Sequence, residues 1–213
     1  VGFFKDIANA FGSATGAPDS TLLQTGLLGR GEIVGFSASG MTVQVGNSLV
    51  ERKCDITLKV FLDNTPAFQA VVSQRVPEVY IPQLSSGQAV VAVRVDPNDR
   101  SRVAIDFATP VPEVTLAATE GHDSAAWILE NGKPVTVVLV ASQPLGVKSP
   151  KGDDVYALTL TLATGVETPY QIQVGNGVPA SALPLLYPGS KLHARLGDEP
   201  NAVAVDWAAG PAT

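Results

Sequence analysis

Phe68-Gln69-Ala70-Val71-Val72-Ser73-Gln74-Arg75-Val76-Pro77-Glu78-Val79-Tyr80-Ile81-Pro82-Gln83-Leu84-Ser85-Ser86-Gly87 decides the fold, because the chain states it twice. A constant offset of 102 carries Phe68 to Tyr170, Val76-Pro77 to Val178-Pro179, Pro82 to Pro184, Leu84 to Leu186 and Gly87 to Gly189 without a gap. A duplicated domain follows. With 213 residues, the chain accommodates two units of about 100 residues each, a common domain size. The expected division is an amphipathic helix and flexible linker at 1–18, a first β-barrel repeat at 19–110 and a second at 111–213.

Within the quoted stretch, the β-branched content of Gln69 to Val76 predicts a strand. Pro77 and Pro82 lack the amide a central ladder needs, so between them the chain leaves the sheet as a loop or one helical turn ending at Gly87, with Leu84 plugging a barrel end. The strand before it is the clearest in each half. Ile56, Leu58, Val60 and Leu62 alternate with Thr57, Lys59 and Phe61, as Leu158, Leu160 and Leu162 alternate with Thr159 and Thr161, so one face of each is core. Upstream, Glu32 to Ala38 reads as a strand turned at Ser39-Gly40 into Met41 to Val45, a hairpin ended by Gly46-Asn47. Val135 to Ala141 answers it. Asp19-Ser20 offers N-cap chemistry for a short helix running through Leu22-Leu23 and Leu27-Leu28 to Gly29; Asp123-Ser124 repeats the device ahead of Ala125 to Leu129 and Gly132. Val90 to Val95 and Val103 to Phe107 close the first unit around an Asp96-Pro97-Asn98-Asp99 turn, and Leu192 to Leu196 and Val203 to Trp207 close the second. The expected fold is all-β: two tandem small barrels, oligonucleotide-binding-like or related, of five to six strands each, with short helices. A sandwich is the alternative. The proline-stiffened join Thr109-Pro110-Val111-Pro112-Glu113 continues into Val114 to Leu116, a candidate edge strand.

Ahead of both repeats, Phe3, Phe4, Ile7, Ala8 and Phe11 fall at helical spacing opposite Lys5, Asp6 and Asn9, giving an N-terminal amphipathic helix with an aromatic face. Gly12 to Ala17 reads as a flexible linker. A free helix of about ten residues is marginal in water, so this hook must dock. Its destinations are its own barrel, a protein partner or sister subunit, or a membrane surface, for which the single Lys5 supplies little attraction to anionic lipid. Phe3, Phe4, Ile7 and Phe11 are the candidate protein-binding residues, with Trp127 second to them. Val1 before Gly2-Phe3-Phe4-Lys5 reads as a GTG start translated literally.

Composition bounds the function. The net charge of −6 is uneven: residues 22–110 hold eight basic against eight acidic side chains, residues 111–213 five against ten. A sequence pI near 4.8 argues against non-specific nucleic-acid binding, although Arg52, Lys53, Arg75, Arg94, Arg100 and Arg102 could form a local patch in the first unit. A mean hydropathy of +0.20 with no apolar run near 18 residues, no secretory signal pattern and one cysteine set a cytoplasmic expectation.

Catalytic chemistry is sparse. Only two histidines exist, His122 in the join and His193 on a strand opposite Val91 of the first copy, and neither sits in a triad pattern. Gly35-Phe36-Ser37-Ala38-Ser39-Gly40 is one residue out of register for a nucleophile elbow. Cys54 begins a strand, where a thiol packs as a small hydrophobe. Asp96 to Asp99 starts like a calcium loop and breaks at Arg100. Asp106 and Asp206 recur in both copies and are expected to face solvent or cap a loop amide. No cofactor, metal or catalytic residue is assigned, and the expected function is a non-catalytic interaction or scaffold protein; the alternative is a ligand-binding barrel for a peptide, glycan or single strand.

The Val-Pro step, the Pro-x-Leu-x-x-Gly stop, the Asp-rich turn and the final Val103-Ala104-Ile105-Asp106-Phe107 or Val203-Ala204-Val205-Asp206-Trp207 together resemble uncharacterised actinobacterial proteins built from tandem small β-modules. The resemblance covers both halves and not the hook. It implies no activity and carries no site residues.

Overall fold

The computed structural model describes residues 19–44, 50–87, 89–122, 124–164 and 166–212. The hook residues Phe3, Phe4, Ile7 and Phe11, and Gly46-Asn47, lie outside them. Contacts divide the chain into two compact units between Val114 and Thr115.

The first unit opens with helix α1 (Ser20–Thr25), N-capped by Asp19, whose Oδ1 accepts the Thr21 and Leu22 amides at 3.0 and 3.1 Å. The helix ends earlier than the apolar pattern suggests. Gly26 is its C-cap, packed so closely that an added Cβ would stand 2.7 Å from the Leu22 carbonyl oxygen. Leu27 and Leu28 therefore begin a strand rather than continue the helix. That strand, β1 (Leu27–Val43), is single and long, which replaces the expected hairpin at Ser39-Gly40. Its first part pairs β4 (Val90–Val95) and its remainder pairs β2 (Glu51–Phe61), overlapping at Arg30 to Glu32. Irregularities between Ile33 and Gly35 and between Ala38 and Thr42 bend it, so Gly40 lies in a bulge and not a turn. Serving two neighbours along one bent strand is how a small sheet curls towards closure.

β3 (Phe68–Pro77) follows β2, then a 3-10 turn (Glu78–Tyr80) and α2 (Ile81–Leu84), then β4 and β5 (Val103–Ile105). Sheet order is β3-β2-β1-β4-β5, all pairs antiparallel. A nearly closed five-stranded barrel results, with a short helix between its third and fourth strands. Ile56, Leu58 and Val60 are fully buried, and Leu84 caps the same core. Gly87 ends the stop at φ +74°, as Gly189 does at φ +93° in the second unit; the left-handed conformation explains why both copies keep glycine there.

The second unit repeats the plan. β6 (Val114–Thr115), at the boundary, pairs β7 (Lys133–Lys148), as expected of an edge strand. Helix α3 (Ala125–Asn131), N-capped by Ser124 and ended by Gly132, precedes β7. β8 (Asp154–Thr164), β9 (Tyr170–Val178), a 3-10 turn (Ala180–Leu185), β10 (Lys191–Leu196) and β11 (Val203–Val205) complete the order β11-β10-β7-β8-β9. Leu139, Leu158, Leu160 and Leu162 form its core, with Leu186 packed against it.

Candidate functional site

Among the described residues neither sheet is hydrogen-bonded into a full cylinder, and the two barrels treat the remaining seam differently. In the first, β3 and β5 run parallel and face each other across it. Gln74 spans the gap: its Nε2 donates to the Ile105 carbonyl at 3.0 Å, and the Ile105 amide donates to its Oε1 at 2.9 Å. Only 3% of Gln74 is exposed. One side-chain amide thus pairs with the N–H and C=O of one residue where a strand pairing is absent. At the mouth of the seam, Arg100 lies over the Phe68 ring, 5.6 Å from its centroid.

The second barrel pins its mouth similarly, since Tyr170, the counterpart of Phe68, donates its hydroxyl to the Pro200 carbonyl at 2.9 Å. Further along, the counterpart of Gln74 is Asn176, one methylene shorter. The seam there stands open as a cleft of about 340 Å³, lined by Val174 and Asn176 of β9, Val203 of β11 with Asn201 just before it, and Ile128 of α3. Val174 is only partly buried, whereas its counterpart Val72 is buried. The volume is at the small end of ligand pockets. Sequence reasoning missed both residues, although the parity of β3 gives a signal: Ala70, Val72 and Val76 point inward, so Gln74 is a polar side chain at a core position.

The two recurring acids, Asp106 and Asp206, are engaged by their own loops. Asp106 is buried and accepts from the Ala108 and Thr109 amides and the Thr109 hydroxyl at 3.1, 3.2 and 2.7 Å, while Arg94 Nε donates to it at 3.1 Å. Burial raises its pKa, but the Thr109 hydroxyl, Arg94 and the two amides outweigh burial and hold it below its ordinary value. Asp206 caps Ala208 and Ala209, so both acids serve loop amides. His193 corrects an alignment: its carbonyl accepts the Asp206 amide as that of Ala92 accepts the Asp106 amide. Its counterpart is therefore Ala92, not Val91. His122 stacks on Trp127, ring centroids 4.3 Å apart.

The candidate basic patch is largely neutralised by carboxylates. Arg52 pairs Glu78 at 2.6 Å, Arg75 pairs Glu51 at 3.5 Å, and Arg102 bridges Asp19 and Asp96 at 2.6 and 2.7 Å. Cys54 is fully buried in the first core, and burial pushes its thiol pKa up. Ellman's reagent is therefore expected to label Cys54 at the unfolding rate; labelling within the mixing time under native conditions would contradict this.

Compared with family models, curated proteins and solved structures, the chain matches none.

Proposed function

We propose that this is a non-catalytic interaction protein, and that its binding surface within the described residues is the open seam of the second barrel. The difference between the two seams carries this reading: one fold, built twice, satisfies the gap internally in one copy and leaves an amide-rimmed cleft in the other. The fold plan, five strands with a helix between the third and fourth, hosts many binding functions and selects none by itself.

The N-terminal hook is a second attachment point, supported by the helical spacing of Phe3, Phe4, Ile7 and Phe11 and by the instability of so short a helix in isolation. Its occupant is a protein partner or a sister subunit. Light scattering on the full chain and on a chain lacking residues 1–17, with both also used as bait in extract, separates the two attachments. The expected result is a loss of partners or a fall in assembly mass on truncation, and a distinct loss of partners in Asn176→Gln, which fills the seam. Unchanged mass and unchanged partners in both variants would refute the reading.

A further inference from the structure

We infer that the seam of the second barrel recognises an extended, uncharged peptide segment of a partner protein, which adds as a strand along β9. The inference rests on the reading of that seam as a binding surface. Three features carry it.

The first is the chemistry that the molecule applies to itself. At the equivalent place in the first barrel, the Gln74 amide grips the backbone of Ile105, donating to its C=O and accepting from its N–H. Among the described residues no hydrogen bond engages the Asn176 amide, which lines the cleft instead. A primary amide offers a donor and an acceptor side by side, and the N–H and C=O of one residue in an extended chain, which point the same way, are its complement.

The second is the state of the β9 edge. Among the described residues β9 has one sheet neighbour, β8, in a register without bulges. Its sequence, Tyr170-Gln171-Ile172-Gln173-Val174-Gly175-Asn176-Gly177-Val178, contains no charged residue and no proline. Natural edge strands are usually blocked by charge, proline or a bulge, and an edge without them is a template for strand addition. The residues from Gln173 to Asn176 span roughly 10 Å of extended chain, or about three ligand residues.

The third is the absence of charge in the lining. Val174, Asn176, Asn201, Val203 and Ile128 supply hydrogen bonds and apolar contact but no cation for a phosphate or carboxylate. This favours peptide over nucleic acid.

The test uses the full chain. A phage-displayed library of random linear heptapeptides is panned on wild type, Asn176→Ala and Asn176→Gln, and enriched peptides are titrated by NMR, alongside cellopentaose and the thymidine hexanucleotide. Enriched peptides are expected to be uncharged and β-branched, and to shift the amides of residues 171–177 and 203–205. Affinity should fall at least tenfold in Asn176→Ala. Binding should vanish in Asn176→Gln, whose longer amide reaches the β11 backbone as Gln74 reaches β5 and raises the tryptophan-monitored melting temperature, both tryptophans lying in this unit. Peptide enrichment that is equal on all three proteins, or shifts outside the seam, overturns the inference. Seam shifts with the glycan or the oligonucleotide alone overturn it while leaving the binding reading standing. A seam that responds to none of the three probes sinks both.

Discussion

Replacing Gln74 by alanine should lower the stability of the first barrel by about 3 to 5 kcal/mol. Two hydrogen bonds contribute only about 1 kcal/mol each net, but the substitution also strands the Ile105 amide and carbonyl, and a buried unsatisfied group costs about 1 to 3 kcal/mol. Water has little access to a position 3% exposed. For a unit of this size each kcal/mol moves the melting temperature by about 4 to 8 °C, so a calorimetric shift of roughly 12 to 40 °C is expected. A shift below about 5 °C would mean that the seam is held by side-chain packing and that the amide bridge is incidental.

Removing Asp106 should be nearly as damaging, at about 3 kcal/mol or more for Asp106→Ala, because Arg94 would be left partly buried without its partner and two loop amides would lose their cap. The sign of the pH dependence follows from the direction of its pKa. Asp106 is held below its ordinary value in the fold, so its contribution is present above the unfolded-state value near ~4 and is lost as pH falls through the folded one. Asp19 acts in the same sense: burial raises its pKa, but the Leu22 and Thr21 amides and Arg102 bring it below the usual range. Denaturant midpoints measured from pH 6 down to pH 2 should fall on the acid side in wild type and fall less in Asp106→Ala. Parallel slopes in the two proteins would show that other groups carry the acid sensitivity.

The repeat and the alternation of Ile56, Leu58 and Val60 made the fold class legible, since both depend on periods that survive in one dimension. The bend of β1 did not, because Ser39-Gly40 has the composition of a turn and only the neighbouring strands decide whether it serves as one. The Gly26 stop was hidden for a related reason. Leu27 and Leu28 extend an apolar run that reads equally as helix, and their pairing with Val95 and Arg94, which draws them into the sheet, is visible only in three dimensions. Asn176 could be aligned with Gln74 from the offset alone, yet a gap between strands far apart in sequence has no sequence signature. The cleft is a property of what one methylene fails to reach.

That bridge also has a place in time. Gln74 and Ile105 are 31 residues apart and join the two outer strands of the β3-β2-β1-β4-β5 order, so their bond is expected to form late in assembly. Interactions absent from the folding transition state act on the unfolding rate. Gln74→Ala is therefore expected to speed unfolding of the first barrel more than it slows folding, which stopped-flow rates would check. The second barrel has no such bridge at Asn176, and its strands would part and close again at that seam on a shorter clock.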